Sequence, residues 1–459
     1  MKGLIGSAFL VILTLTLSMS YSFALAAGAS FVPNVALLGE FLGPLGPVGA
    51  GLAPIKGMAY QPVPSDYAPC AACVYYDSDF VNIDFKNLWG APPTYPDGRG
   101  DLKVMSEELG INFLHIYDWN PLRNHLPFLN EALKYHIRVA VPISNYFAHD
   151  PYGQEANIKK IVNEVYVDTA GNPSKTPHPA VVMWLIANEY DNSGGYVTPA
   201  GIAQVAAIIL AQEKAIGATV VLPISSPVTF GINGDPQGRP AVVAIQNLIN
   251  AFKANSGLPS DFVSTRFIAA TNPQNRGDTL PGTCPPTCGT IAQFLPAFAA
   301  AFPGLSLWFA ELGTGVVQSC AGYPPSCVPS ETQQATFNAE ALQYSKPQGL
   351  AGGGALLGSA QFEFLNEIWK PGNEATFGVY KYHAPLEYKT YPTPANGPAP
   401  AGTYRVDVLV KKPSWFVLQE AFNAGATPLL SQVYITIDAL KADTLNGRSP
   451  TTLTLTLNE

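Results

Sequence analysis

Short apolar runs alternate with amphipathic stretches along most of this chain of 459 residues. An apolar run of about four to eight residues between turn residues is typical of a buried strand, whereas apolar residues three and four positions apart are typical of a helix. Segments with the strand pattern are 55–60, 112–117, 138–143, 181–187, 219–224, 262–269, 305–310 and 355–364. Segments with the helix pattern are 101–109, 121–135, 155–167, 199–216, 241–254, 291–302, 332–344 and 414–422. The alternation predicts parallel strands with helical returns, and therefore an α/β fold of the (β/α)8 TIM-barrel type.

Two glycines support the positions of these elements. Gly110 follows the first predicted helix, and Gly217 follows the fourth. Helices commonly end on a left-handed residue, a conformation that glycine adopts without steric penalty. Both glycines therefore predict helix ends just before the second and fifth strands.

Glutamates follow the fourth and seventh predicted strands. Val181-Val-Met-Trp-Leu-Ile-Ala leads into Asn188 and Glu189, and Leu305-Ser-Leu-Trp-Phe-Ala leads into Glu311. Barrel enzymes carry their chemistry at the C-terminal ends of the strands, and cleavage of a glycosidic bond normally uses two carboxyl groups. Taken singly, either glutamate could be an ordinary loop residue. Together, in this strand order, they indicate a glycosidase.

The other strand ends carry aromatic and polar residues. Sugar rings stack on aromatic faces, and their hydroxyl groups require polar partners. The residues predicted to bind substrate are Asn188, Tyr60, Tyr117, Asp118, Trp119, Tyr146, Glu363, Glu367 and Trp369. The alternative for each aromatic residue is that it fills space between the barrel and its loops.

Several motifs resemble clan A glycoside hydrolases, in which an Asn-Glu pair ends strand four and a glutamate ends strand seven. Within the clan, Ile55-Lys-Gly-Met-Ala-Tyr-Gln-Pro, Leu109-Gly-Ile-Asn, His115-Ile-Tyr and Asn124-His125 resemble the opening of the family 72 β-1,3-glucanosyltransferases and their bacterial relatives. Phe362-Glu-Phe-Leu-Asn-Glu-Ile-Trp-Lys370 and Lys412-Pro-Ser-Trp415 are similar to later segments of that group. The resemblance covers roughly residues 55 to 425.

The resemblance implies a secreted retaining glycoside hydrolase or transglycosylase that acts on β-glucan, with the β-1,3 linkage favoured. Glu189 is then the acid/base, Glu311 is the nucleophile that forms a covalent glycosyl-enzyme, and Asn188 binds the sugar 2-hydroxyl. Retention requires the two carboxyl groups to lie about 5 to 5.5 Å apart. No cofactor and no metal are implied.

Two positions depart from the clan pattern. Clan members usually carry an arginine near the end of strand two, where this chain has His115, and a tyrosine near the end of strand six, where 272–277 reads Asn-Pro-Gln-Asn-Arg-Gly. Those groups help to hold the nucleophile ionised and oriented. Arg276 or a loop tyrosine could replace them, so Arg276 is also a predicted site residue.

Two other functions therefore stay open. One is a catalytically weak or inactive carbohydrate-binding or cell-wall protein on the same barrel. The other is a metal-dependent hydrolase, for which His115 and Asp118 are the candidate ligands.

Composition narrows the range of partners. Hydrophobic residues make up 47% of the chain, charged residues make up 13%, and the net charge is −8 with a pI near 5.3. This balance argues against nucleic acid and against anionic lipid. A neutral polysaccharide fits better, and we expect a monomer.

The first 26 residues have the features of a signal peptide. Lys2 is the only early charge, an apolar stretch runs from Leu4 to about Leu17, and Ala24-Leu25-Ala26 offers a cleavage site. An uncleaved anchor is the alternative. We expect a signal peptide (1–26), a Gly/Pro-rich leader (27–54), the catalytic barrel (55–426) and a C-terminal β extension (427–459). The mature protein would then be secreted, periplasmic or on the cell surface, with no membrane segment.

The six cysteines fall into three local pairs, Cys70/Cys73, Cys284/Cys288 and Cys320/Cys327. In an exported chain such pairs predict disulfides that staple loops. A thioredoxin-type redox motif is disfavoured because no β-α-β unit surrounds Cys70, and zinc is disfavoured because no histidine lies at ligand spacing.

Overall fold

Eight parallel strands close into a barrel. Their bounds are β1 (Ile55–Ala59), β2 (Phe113–His115), β3 (Arg138–Ile143), β4 (Val181–Ile186), β5 (Ile224–Thr229), β6 (Phe267–Asn272), β7 (Leu307–Leu312) and β8 (Ala355–Gln361). Each strand pairs in parallel with the next, and β8 pairs with β1, where Ile55 lies opposite Gly358. The closed barrel confirms the predicted fold class.

The computed structural model describes residues 52, 54–68, 79–230, 240–274, 291–316, 330–392 and 403–423. The predicted signal peptide, nearly all of the leader, the predicted extension and all six cysteines lie outside these ranges. Within them, no helix is both long enough and apolar enough to cross a bilayer.

Helices return the chain between the strands and cover the outside of the barrel. They are α1 (Lys86–Trp89), α2 (Asp101–Glu107), α3 (Leu126–Lys134), α4 (Asn145–His149), α5 (Glu155–Val165), α6 (Pro199–Ile216), α7 (Pro240–Ala254), α8 (Phe262–Thr265), α9 (Ile291–Ala301), α10 (Glu331–Tyr344) and α11 (Pro413–Asn423). Short 3-10 helices span Ile83–Phe85, Tyr190–Asn192 and Gly372–Thr376. Gly217 ends α6 with a φ of 70°, the left-handed helix end that the sequence predicts.

Strands five and six lie further along the chain than predicted. β5 begins at Ile224, where the predicted strand ends, and the first part of the sixth predicted strand is the short helix α8. Buried Ser225 and Ser226 occupy β5, and Ser225 Oγ accepts a hydrogen bond of 3.0 Å from Trp308 Nε1. Buried serines carry no apolar signal, so the apolar residues that precede them shifted the prediction.

The barrel has two apolar layers. Strand residues such as Phe113, Met183, Trp308 and Leu357 form a cluster of their own, which fills the interior. A much larger cluster joins the other face of the strands to the helices. Gly57 lets β1 approach β8 closely, because a Cβ at this position would lie only 2.8 Å from the Cβ of Ala360.

Two small antiparallel sheets follow the barrel strands. β9 (Tyr380–Tyr382) pairs with β12 (Leu409–Lys411), and β10 (Tyr388–Pro392) pairs with β11 (Thr403–Asp407). The sequence reading placed no strands here. β10 is largely exposed, whereas Tyr404, Val406 and Asp407 of β11 are buried. Both strands mix tyrosine with charged residues, so they lack the continuous apolar run used to find the barrel strands.

A buried carboxylate ties the outer helices to the strands. Glu213 on α6 accepts hydrogen bonds from the Tyr166 hydroxyl at 2.9 Å and from Trp184 Nε1 at 3.1 Å, and it forms an ion pair with Arg266 at 2.9 Å. Glu213 and Arg266 are both buried. Removing one partner of such a pair leaves an uncompensated charge in the interior.

We therefore expect Glu213→Ala to lower the free energy of unfolding by about 3–5 kcal/mol, measured by urea denaturation. Glu155→Ala is the control, because Glu155 pairs with Lys159 on the exposed side of α5. That surface pair should contribute less than about 1 kcal/mol. Equal losses for the two variants would contradict a structural role for the Glu213 network.

Candidate active site

The C-terminal ends of β2, β3 and β4 and the residues that follow them line a cavity of about 230 Å³. Its wall includes Tyr117 and Asp118 after β2, Tyr146 after β3, and Asn188 after β4. This volume lies below the range of roughly 300–1,000 Å³ that is usual for ligand pockets. The cavity therefore has room for about one sugar ring, with any further part of a ligand lying outside it.

The segment that carries Glu189 has an unusual backbone. Ala187 and Glu189 have φ angles of 55° and 51°, a left-handed conformation that costs a non-glycine residue roughly 1–2 kcal/mol. Asn145 at the start of α4 clamps the residue between them. Its Oδ1 accepts from the Asn188 backbone N–H at 2.7 Å, and its Nδ2 donates to the Asn188 carbonyl at 3.0 Å. Residues held in such strain often lie at functional sites.

Glu311 is buried on β7 and accepts hydrogen bonds from three neutral side chains. The Tyr117 hydroxyl donates to Oε1 at 2.9 Å, and Asn188 Nδ2 donates to the same oxygen at 3.0 Å. Gln274 Nε2 donates to Oε2. Donors that converge on both oxygens favour the ionised carboxylate.

An amide from β6 joins the two glutamates. Asn272 Nδ2 donates to Glu189 Oε1 at 2.9 Å and to Asn188 Oδ1 at 3.0 Å, and Asn188 in turn donates to Glu311. Strands four, six and seven thus meet in one hydrogen-bonded chain. The two glutamates predicted from the sequence lie at its ends.

Both glutamates bind protons more tightly than an exposed carboxylate does. Burial, reinforced by the negative charge of Glu189, raises the pKa of Glu311 to about 8, although Tyr117 and Lys370 oppose the rise. Burial also raises the pKa of Glu189, which is less deeply placed than Glu311 and accepts hydrogen bonds from Asn272 and Asn192. Between pH 5 and 7, therefore, the pair does not carry two full negative charges.

A second acidic group lies beyond β8. Glu363 and Glu367 are buried, and Lys370 forms an ion pair with Glu367. Burial and the charge of Glu367 raise the pKa of Glu363 well above its usual range, and burial raises that of Glu367. Both carboxylates act electrostatically on Tyr117, and Lys370 acts on Glu311. This group therefore belongs to the electrostatic environment of Glu311.

Comparison with known proteins finds no matching family model and no matching curated protein. Solved structures with a similar fold include CJP38, a β-1,3-glucanase and allergen of Cryptomeria japonica pollen, at 15% identity and a TM-score of 0.41 over 61% of this chain and 90% of that one. Gas2 in complex with compound 10 is similar at 15% identity and a TM-score of 0.44, over 84% of this chain and 68% of that one. Saccharomyces cerevisiae Gas2p in complex with laminaritriose and laminaritetraose is similar at 15% identity and a TM-score of 0.41, over 84% of this chain and 67% of that one.

The architecture of the chain itself agrees with the resemblance to clan A glycoside hydrolases. The barrel is closed, Asn188 and Glu189 follow β4, and Glu311 lies at the end of β7. The order and strand positions of these three residues are those that the resemblance implies.

Besides Asn188, three predicted substrate-binding residues lie at the mouth of the barrel. Tyr117 and Asp118 line the cavity, and Tyr117 also contacts Glu311. Tyr146 is half-buried in the cavity wall, where its hydroxyl accepts a hydrogen bond of 3.0 Å from Gln154. Arg276 lies outside the described residues.

Three other predicted aromatic residues are packed into the protein. The Tyr60 hydroxyl donates to Asp101 at 2.8 Å, and its ring packs edge-on against Phe364. Trp369 packs edge-on against Tyr67, 5.2 Å away. Tyr60 is fully buried and is therefore a core residue.

Trp119 is also fully buried, in a cluster around a histidine. Its ring stacks on His125 at 3.8 Å, and its Nε1 donates to Glu164 at 2.7 Å. His125 lies between Glu164 and Asp79, whose charges raise its pKa to about 10 in spite of burial. This cluster fixes the loop after β2, and Trp119 presents no face to the mouth.

Sequence reasoning missed three residues of the site. Asn272 and Gln274 bind the two glutamates, and Asn145 clamps Asn188. The signal was present in the segment Asn272-Pro-Gln, which begins at the last residue of β6. Because strand six was predicted too early in the chain, these amides were read as loop residues.

Among the described ranges, no three or more histidine, cysteine, aspartate or glutamate side chains are grouped so that they could hold a metal ion. His115 and Asp118, the two candidate ligands, are not part of such a group.

We expect Asn145→Ala to lower the free energy of unfolding by about 1–3 kcal/mol, because two backbone groups of the partly buried Asn188 lose their partners. Urea denaturation measures this change. Asn145→Asp keeps the acceptor for the Asn188 N–H, so it should lower the free energy of unfolding by less than Asn145→Ala does. The control is Asn157→Ala on α5, where a single hydrogen bond to Gln154 is lost; a loss as large as that of Asn145→Ala would contradict the clamp.

The raised pKa of Glu311 predicts a pH-dependent difference between the wild type and Glu311→Gln. Below pH 4.5 the carboxyl is protonated in both the folded and the unfolded protein, so its titration contributes nothing to the difference. Between pH 4.5 and about 8 only the unfolded wild type releases this proton, so the variant should gain stability relative to the wild type, by about 1.4 kcal/mol per unit of pKa difference at most. Urea unfolding at pH 4, 6 and 8 measures the trend. A difference that does not change with pH would contradict it.

Proposed function

We propose that the protein is a retaining glycoside hydrolase or transglycosylase that acts on β-glucan. The observation that carries the proposal is the hydrogen-bonded chain at the rim, in which Asn188 and Asn272 connect Glu189 to Glu311. Glycosidic cleavage requires two carboxyl groups with different surroundings. Asn188, which connects the two glutamates, also lines the sugar-sized cavity.

In the first step, Glu311 attacks the anomeric carbon and forms an ester bond to it. The bond from that carbon to the leaving oxygen breaks, and the proton of Glu189 passes to the leaving oxygen. In the second step, ionised Glu189 takes a proton from water or from a sugar hydroxyl, whose oxygen displaces Glu311. Water gives hydrolysis, and a sugar hydroxyl gives chain transfer.

The reactive form has the negative charge on Glu311 and the proton on Glu189. Burial and the charge of Glu189 oppose this arrangement, and together they raise the pKa of Glu311 to about 8 in spite of its donors. Three donors and the nearby Lys370 favour a negative charge on Glu311. Among its described contacts, Glu189 accepts hydrogen bonds only from the amides of Asn272 and Asn192. Hydrogen bonds donated to a carboxylate favour its ionised form, so in this scheme the donors hold the negative charge on Glu311 and leave the proton on Glu189.

Asn188 has a second function in this scheme. One hydrogen of its Nδ2 is used by Glu311, and its Oδ1 is used by Asn272. The second hydrogen of Nδ2 can donate to the sugar 2-hydroxyl, next to the carbon that Glu311 attacks. Asn188 would thus bind the substrate and the nucleophile together.

The substrate class follows from chemistry and from the resemblance. The net charge of −8 disfavours an anionic polymer, and Tyr146 in the cavity wall offers an aromatic face to a neutral sugar. The β-1,3 linkage is implied by the resemblance to family 72. Secretion after cleavage of residues 1–26 is part of the same proposal.

The test is to incubate the wild type, Glu189→Gln and Glu311→Gln with laminarihexaose and to separate the products by chromatography. We expect shorter oligosaccharides from hydrolysis or longer ones from transfer. Each variant should lose at least about 10²–10⁴-fold of the wild-type rate. Glu155→Gln on the exposed surface is the matched control and should retain full activity.

The anomeric form of the first product, read by proton NMR, tests retention. A β product is expected. Binding of laminarihexaose without any cleavage by the wild type would favour the carbohydrate-binding alternative. Cleavage that survives both substitutions would exclude the assignment of Glu189 and Glu311.

A further inference from the structure

His115 is fully buried at the end of β2. Its Nδ1 lies 2.9 Å from the carbonyl oxygen of Ala310, the residue before Glu311 on β7. A carbonyl oxygen only accepts hydrogen bonds, so Nδ1 carries the hydrogen. Burial lowers the pKa of His115 to about 4, so the ring is neutral and Nε2 has no hydrogen at neutral pH.

The ring of His115 also contacts the tyrosine that binds Glu311. The centroids of His115 and Tyr117 are 4.5 Å apart, with the planes inclined by 32°. Trp308 packs edge-on against the other side at 6.0 Å. Because the Tyr117 hydroxyl donates to Glu311, the imidazole touches two of the elements that orient the carboxylate.

Packing alone does not explain a histidine at this position. Within the described part of the chain, its buried Nε2 has no hydrogen-bond partner, and a buried polar atom without a partner is destabilising. A phenylalanine would fill the same space without that cost. The feature of histidine that the fold uses is therefore the Nδ1 hydrogen bond to β7.

We propose that His115 is a positioning residue for Glu311, which fixes the Ala310 carbonyl through Nδ1 and the Tyr117 ring through contact. The proposal rests on the proposed function of Glu311 as the nucleophile. An arginine would supply charge to the nucleophile. The neutral imidazole supplies no charge, and positive charge near Glu311 comes from Lys370 instead.

Two substitutions separate the two contacts. His115→Phe keeps a ring against Tyr117 and removes the hydrogen bond, whereas His115→Asn keeps a donor near Nδ1 and removes the ring. His178→Phe is the matched control: His178 is equally buried and burial lowers its pKa to about 4 as well, but its partners are Asn130 and Ala180, before β4 at the opposite end of the barrel.

With laminarihexaose as substrate, we expect His115→Phe to lower kcat by about ten- to a hundredfold with KM within about twofold of the wild type. The pH profile of kcat should also shift, because the ionisation of Glu311 depends on its orientation toward its donors. His115→Asn should recover part of kcat. His178→Phe should lower the melting temperature as much as His115→Phe while leaving kcat and the pH profile unchanged. Wild-type kcat and an unshifted profile in His115→Phe would overturn the proposal.

Two readouts do not depend on activity. Nitrogen-15 NMR of histidine side chains at pH 6 should show His115 as the neutral form protonated on Nδ1; a form protonated on Nε2, or the imidazolium, would overturn the proposal. Unfolding free energies of His115→Phe, Glu311→Gln and the double variant should be non-additive. An inactive wild type would refute the proposed function alone, and strictly additive losses would refute the action of His115 on Glu311.

Discussion

The pairing of β8 with β1 is the constraint on which the rest of the structure depends. It closes eight parallel strands into a ring, so that every strand ends at the same rim. Residues far apart in the chain then become neighbours: Tyr117, Asn188, Asn272 and Glu311 come from four different strands or the residues that follow them. Gly57 allows this closure, because any side chain there would meet Ala360.

Converging donors at the rim oppose the electrostatic cost of a buried carboxylate. Glu311 lies in surroundings that favour its protonated form, yet hydroxyl and amide groups point at both of its oxygens. The strained backbone around Asn188 helps to position one of these donors. Asn145 holds Asn188 between two left-handed neighbours, and Asn188 donates to Glu311. Stability is given up locally at Ala187, Glu189 and Glu311, and the packed barrel beneath them supplies the rigidity that keeps them in place.

The sequence predicted the barrel and its two glutamates because both depend on local signals, namely apolar strands and the residues that end them. It failed where buried residues are polar. Ser225 and Ser226 hid the start of β5, and the early placement of strand six hid Asn272 and Gln274. Contacts made by closure, such as His115 with Ala310, have no local signal at all. The roles of aromatic residues were the least predictable. Trp119 and Tyr60 are of the residue type that stacks on sugars, but both are buried in the core.

The measurement that tests the central claim most directly is covalent trapping of the nucleophile. A β-laminaribiosyl fluoride with fluorine at C2 of the reacting glucose slows the second step, so the glycosyl-enzyme accumulates. We predict that the mass of the protein rises by one fluorinated disaccharide unit, that peptide mapping places the label on Glu311, and that Glu311→Gln takes up none. Label on another residue, or turnover of laminari-oligosaccharides by a wild type that never acquires the label, would contradict the account.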